Sequence, residues 1–337
     1  MGERLVEIDY LRAIACISVI IVHITAGYLF LDTTGELTRL VFLFLNRALV
    51  YVVPAFLFIS GLVLTYNYQH KTFNYFQFIT KRTKNIIMPY FFWTVIFYVI
   101  FVQQRVYEFS LAFFLEKFFL GDLVYHLYFI VLIIQFYLLF GIFKWLFQKY
   151  NSFLLLVTMF VLNVLFMKYI YFPYVDRFFM QYLCFFALGC FFATNYQQLK
   201  KHMYSYRYIS LVAYLVLSIL LAQQFYANVI LQKAGNPFRA NLLWLLFSLV
   251  AILFYFSLAL VLARSNLGKS KSFLLKVSDS SYYIYLGHPL MLMVAQKVIT
   301  YPLVPSTTLN FLLTLVFVLG TVLPAAFLYQ TQKRKWF

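Results

Sequence analysis

Apolar residues run along this chain in blocks too long and too continuous for the core of a soluble domain. Blocks of about 20 residues, the length an α-helix needs to cross about 30 Å of hydrocarbon, recur from the first tenth of the chain to its end. They predict spanning helices at roughly 10–31, 46–67, 86–103, 125–147, 152–171, 178–196, 207–226, 241–263, 281–299 and 308–330. Strands are excluded, because in lipid only helices and closed barrels satisfy the backbone, and these blocks lack the two-residue alternation of barrel strands. The expected fold is all-α, a polytopic integral membrane protein of about ten transmembrane helices. The polar stretches between blocks are short, so residues 1–337 read as a single membrane domain without a soluble module.

Composition agrees, with 64% hydrophobic and only 11% charged residues. Lys and Arg then set the orientation, since cytoplasmic loops collect them. With the N-terminus inside, the inner segments hold roughly twice the Lys and Arg of the outer ones, Lys81, Arg82, Lys84, Lys200, Lys201, Arg207, Lys269 and Lys271 among them. Both termini are then cytoplasmic, and the formal net charge of +17 is largely a record of topology. A nucleic-acid partner is excluded, because these charges are scattered over short loops with no basic domain to hold a phosphate backbone. The first block is longer than the apolar core of a cleaved signal and is interrupted by Arg12 and His23, so it reads as a retained helix. Cys16, Cys184 and Cys190 fall in apolar blocks without metal-ligand spacing, so no metal site is expected.

Four places carry polar chemistry. In the first helix, Arg12 and His23 are eleven positions apart. At about 100° per residue that returns within about 20° of the same face, with the two side chains roughly 16 Å apart along the axis. Arg12 lies near the inner interface and His23 in the outer half of the bilayer. An ionisable group at that depth turns toward a cavity or a partner. His23 is thus either a proton-transferring residue or a neutral imidazole bonded to a neighbouring helix, with Arg12 reaching the interface as ordinary topology signal. The second place is Lys81-Arg82-Thr83-Lys84, ahead of Pro89, where cations can hold a phosphorylated ligand or simply obey the positive-inside rule. The third runs from Asp122 through His126 to Tyr128 and Phe129, at the outer mouth of the fourth span, either as a water-facing pair sharing a helix face or as part of an aromatic belt. The fourth is Ser278-Asp279-Ser280-Ser281, leading to Tyr285, His288 and Pro289, where side chains either take part in chemistry or serve only to satisfy the backbone that the proline frees.

Taken together, these landmarks resemble the membrane-bound acyltransferase family 3, whose members move acyl groups onto cell-envelope and secreted polysaccharides. The resemblance covers nearly the whole chain. It rests first on Arg12, ten residues and His23 within Asp9-Tyr-Leu-Arg-Ala-Ile-Ala, then on Pro54 through Ser60-Gly61, Arg82 through Pro89-Tyr90, His126-Leu-Tyr-Phe, Gly189, and Ser281-Tyr-Tyr-Ile-Tyr285-Leu-Gly-His288-Pro289. The chain departs from the pattern at Tyr128, where the family often has Trp, and at Lys84, where a second basic residue often stands nearer the proline. Among the stand-alone members it is similar to the intercellular-adhesion group of Gram-positive bacteria, which acts with poly-N-acetylglucosamine in biofilms.

The resemblance implies an acyl-CoA donor, acetyl-CoA or succinyl-CoA, in the cytoplasm and an extracellular glycan hydroxyl as acceptor. It implies a bacterial plasma-membrane location, contact with the lipid bilayer, and a possible polysaccharide synthase complex as partner. Arg12, with Arg82 and Lys84, would then hold the donor, and His23 would act as general base on the acceptor hydroxyl, directly or after accepting the acyl group. His126, Asp122, Tyr128, Ser281 and His288 would serve the acceptor side or support the site. The rival reading is a polysaccharide exporter without covalent chemistry. Against it, the sequence offers neither paired interrupted helices nor a chain of buried carboxylates.

Overall fold

The computed structural model describes residues 4–31, 34–69, 71–266, 268–299 and 306–336. Regular structure among them is helical, with no strand. In chain order the helices are α1 (Val6–Tyr28), α2 (Glu36–Leu49), α3 (Val52–Tyr68), α4 (Tyr75–Arg82), α5 (Met88–Gln103), α6 (Leu111–Leu120) and α7 (Tyr128–Lys149). There follow α8 (Ser152–Tyr169), α9 (Leu183–Thr194), α10 (Tyr196–Ser205), α11 (Arg207–Phe225), α12 (Pro237–Arg264), α13 (Gly268–Val298) and α14 (Thr307–Trp336).

Eight segments of the described residues are long and apolar enough to cross a membrane: Val6–Tyr28, Glu36–Tyr68, Tyr75–Gln103, Tyr128–Lys149, Ser152–Tyr169, Arg207–Ile230, Pro237–Arg264 and Thr307–Lys333. The chain is therefore an all-α polytopic membrane protein. Two of the ten expected spans differ in character. The one at 178–196 is a shorter apolar helix, Phe179–Thr194. The one at 281–299 is the second half of α13, a 31-residue helix whose lysines, tyrosines, Asp279 and His288 lower its hydropathy.

Sequence dictates the helix ends. Asn74, Asn151 and Asn236 cap α4, α8 and α12 by accepting main-chain N–H groups of the first turn, and Ser110 does the same for α6. Gly121, at φ +62°, ends α6 in the left-handed conformation. Prolines decide the interruptions. Pro54 has no N–H for the Val50 carbonyl and its ring crowds that carbonyl. The span expected at 46–67 is accordingly two helices, and α3 restarts with the Ala55 N–H on the Tyr51 carbonyl at 2.9 Å. One carbonyl left at the end of α2, that of Ala48, accepts the Tyr214 hydroxyl at 3.1 Å. Ahead of Pro89 the backbone widens into a π turn over Thr83–Ile87.

The chain forms two compact units, one of residues 1–56 with 197–337 and the other of residues 57–196. In the first, α1 is central, packed on α2, α12, α13 and α14. Ala13, Cys16, Ile20 and Ile24 of α1 meet Val277, Ile284 and Leu292 of α13 and Val318 of α14 in one apolar cluster. In the second, α7, α8 and α9 pack together around phenylalanines, with Phe136 and Phe186 stacked at 4.7 Å. Glycine lets α3 and α9 touch backbone to backbone there, since a Cβ on Gly189 would lie 2.1 Å from the Phe58 carbonyl oxygen and one on Gly61 2.3 Å from that of Phe186.

Candidate active site

The first unit aligns the polar residues of α1 with those of α13. From the N-terminal end of α1 onward, Asp9 and Arg12 meet Ser278, the Cys16 thiol donates to the Ser281 carbonyl at 3.7 Å, and His23 meets His288. Both partners' numbers ascend together, so the two helices run parallel along a polar seam.

At the lower end, Asp9 is 7% exposed and accepts three donors. Arg12 Nη1 donates to its Oδ1 at 3.0 Å, Ser278 Oγ donates to the same oxygen at 2.9 Å, and Arg4 Nε donates to Oδ2. Arg4 Nη2 also donates to Asp279 at 2.9 Å. The hydrogen bond to Asp9 holds the Arg4 guanidinium above its usual value, against the opposing effect of burial. The Arg12 charge is thus paired with Asp9, and its guanidinium is aimed by a carboxylate of its own helix and a hydroxyl of α13.

At the upper end, the rings of His23 and His288 stack with centroids 5.4 Å apart and planes inclined by 21°. His288 is buried, and its Nδ1 lies 2.7 Å from the Tyr285 carbonyl oxygen. On another side of α1, the buried Asn46 donates to the Val22 carbonyl at 2.8 Å and to Thr25 Oγ1 at 2.9 Å, which ties the turn that carries His23 to α2. The Oδ1 of Asn46 accepts the guanidinium of Arg47, whose cationic carbon sits 4.0 Å from the Phe225 ring.

The other sequence-predicted residues belong to the second unit. Arg82 packs between the rings of Phe78 and Tyr137, 5.0 Å from each centroid. Its Nε is buried without a hydrogen-bond partner, and no carboxylate pairs with it among the described residues. Lys84 stands exposed on the π turn that follows. Asp122 bridges Lys117 at 2.8 Å and Arg177 at 2.6 Å, and its hydrogen bond raises the Lys117 ammonium above its ordinary value. His126, expected to face water, is 2% exposed and packs edge-on against Phe97 at 5.8 Å. Tyr128 begins α7 and shares a hydrogen bond with Tyr182.

The structure therefore brings Arg12, His23, Ser281 and His288 onto one seam, with Arg82, Lys84, Asp122, His126 and Tyr128 in the other unit. Sequence reasoning missed two contributors. Asp9 precedes Arg12 by three residues, a spacing that pairs charges on a helix, and that signal was available. Asn46 gave none, since its partners lie on a different helix. Among the described residues, no three His, Cys, Asp or Glu side chains gather as a metal site, and the three cysteines are free and buried.

A family described as an acyltransferase domain matches residues 5–330. A probable poly-beta-1,6-N-acetyl-D-glucosamine export protein of Staphylococcus aureus is 29% identical over 320 residues, covering 87% of this chain and 83% of that protein. A Staphylococcus epidermidis protein of the same description is 25% identical over 311 residues, covering 87% and 82%. No solved structure matches.

Proposed function

The chain belongs to the acyltransferase domain family and is a multi-pass membrane protein of bacterial type; from that premise we propose that it transfers an acyl group, acetyl or succinyl, from cytoplasmic acyl-CoA to hydroxyls of an extracellular polysaccharide such as poly-N-acetylglucosamine. The observation that carries this reading is the α1/α13 seam. It joins a carboxylate-aimed arginine at the inner end to an imidazole roughly 16 Å higher on the same helix face. That span suits a donor whose phosphates stay on the cytoplasmic side while its acyl end reaches the outer half of the bilayer.

Arg12 of the first unit and Arg82 of the second are each assigned to the donor's phosphates, with Lys84, two residues after Arg82. Arg82 suits the task because its guanidinium has no carboxylate partner among the described residues and is held by two aromatic faces, so that an anion would complete its hydrogen bonding. His23 is the proton-transferring residue at the reacting carbonyl. Asp122, His126 and Tyr128 are assigned to the acceptor side, and Ser281 and His288 to support of the seam.

Export of the polysaccharide is the second reading, favoured by the descriptions of the two staphylococcal relatives. One experiment separates them. Arg12→Ala and His23→Ala are expressed in a polysaccharide-producing host, insertion is verified, and ester content and secreted glycan are both measured. Acyl transfer requires ester to fall by about 10²-fold or more in His23→Ala. Normal ester content in both variants, with glycan retained inside, would establish export instead.

A further inference from the structure

The two stacked imidazoles carry an inference that rests on the acyl-transfer reading. A catalytic histidine is commonly oriented by a carboxylate that accepts its second N–H and fixes its tautomer. In this unit the described carboxylates lie elsewhere. Glu7, Asp9 and Asp279 pair with Lys200, Arg4 and Arg12 at the cytoplasmic end of the seam, and Glu36 begins α2. The group stacked on His23 is His288, 1% exposed.

The tautomer of His288 follows from the helix around it. Pro289 has no N–H, so the Tyr285 carbonyl, four residues earlier, loses the main-chain donor it would otherwise receive. The Nδ1 of His288 lies 2.7 Å from that oxygen. A carbonyl only accepts, so Nδ1 carries the hydrogen and the neutral ring keeps its lone pair on Nε2. The His-Pro pair thus does with backbone what a carboxylate does elsewhere: it fixes one imidazole as a proton acceptor beside a second imidazole.

We propose that His288 is the proton-accepting partner of His23, the two imidazoles forming a relay. As the acceptor oxygen bonds to the acyl carbon, its proton passes to one nitrogen of His23, whose other nitrogen gives its own proton to Nε2 of His288. As the carbon–sulfur bond breaks, Nε2 returns that proton to His23, and His23 delivers the first one to the departing thiolate. Thioester and alcohol become ester and thiol, both histidines end as they began, and no further reactant is needed.

The test must separate this role from mere satisfaction of the Tyr285 carbonyl. His288→Phe keeps a ring on His23 but removes both nitrogens, and leaves that carbonyl without a donor. The double variant His288→Phe/Pro289→Ala restores a main-chain N–H to it. Purified proteins in vesicles are given radiolabelled acetyl-CoA or succinyl-CoA inside and an N-acetylglucosamine oligosaccharide outside, and thermal midpoints are measured in parallel. The expected result is that the double variant melts within a few degrees of wild type yet transfers label at least 10²-fold more slowly, while Pro289→Ala alone, which keeps both rings but gives the Tyr285 carbonyl a competing donor, falls between the two. A double variant that keeps both its midpoint and its rate would overturn the role of His288 and leave acyl transfer standing. Wild-type vesicles that transfer neither group would overturn both.

Discussion

The Asp9 carboxylate lies between two guanidinium groups and a serine hydroxyl, and each of the three would lose its anion if it were removed. Because Arg4 and Arg12 keep partial contact with solvent, the loss is that of a screened pair rather than a buried one, about 1–3 kcal/mol. Asp9→Ala is therefore expected to lower the thermal midpoint in detergent by several degrees, and an unchanged midpoint would mean that the network does not hold α1 to α13. Arg12→Lys tests aim rather than charge. A lysine is a point charge that cannot share one planar head among Asp9, Ser278 and a phosphate, so acyl transfer should fall about tenfold or more, mainly through the Michaelis constant for the donor. A wild-type rate would remove Arg12 from donor binding. The helical period alone sufficed to place Arg12 and His23 on one face. The partners of that face were illegible, because His288 and Ser278 join it only through packing across more than 260 residues of chain.

Elements differ in how openly the sequence announces them. Apolar blocks gave the spans, and Asn74, Ser110, Asn151 and Asn236 marked helix starts by a local rule. The break between α2 and α3 was also written locally, in Pro54, but a hydropathy window runs across it because Val50 through Val53 are as apolar as the helices they divide. Burial of His126 escaped notice because it depends on Phe97 of another helix. Gly61 and Gly189 stood among the landmarks of the resemblance, while their physical reason appears only in the contact of α3 with α9. A methyl group on Gly189 would meet the Phe58 carbonyl oxygen at 2.1 Å and the Leu62 nitrogen at 2.7 Å, backbone atoms that cannot turn aside. Gly189→Ala should therefore cost about 1–3 kcal/mol and reduce the yield of folded protein on gel filtration. Gly320→Ala is the control, since nothing lies within 4 Å of the added carbon, and it should be neutral or slightly stabilising in its helix. Equal losses for the two would refute close packing as the role of Gly189.

At the scale of the whole molecule, the seam fixes how many times the chain crosses the membrane. Contacts of Asp9 with Ser278, Cys16 with Ser281 and His23 with His288 ascend together, so α13 runs beside the spanning helix α1 and in the same direction. Composition alone disguises this, because a helix rich in tyrosine and lysine can cross when its polar side faces protein instead of lipid. Two parallel helices both begin on the same side, so an even number of crossings must separate their starts. Seven of the long apolar segments precede α13, counting α1 itself, and the missing crossing falls to Phe179–Thr194. That helix, with its 3-10 first turn, is about 26 Å long, a little short of the hydrocarbon. Its residues from Tyr182 to Cys190 are buried in protein, which relieves it of matching the lipid. We therefore expect ten crossings, with the start of α1 and the end of α14 both on the inner side. Tyr171→Cys and Lys201→Cys flank the helix at exposed positions, in a background whose native cysteines are all buried. A membrane-impermeant maleimide should label Tyr171→Cys on intact cells and Lys201→Cys only after permeabilisation. Labelling of both from outside would deny the crossing, force α1 and α13 antiparallel, and dismantle the seam on which the donor-to-acceptor path depends.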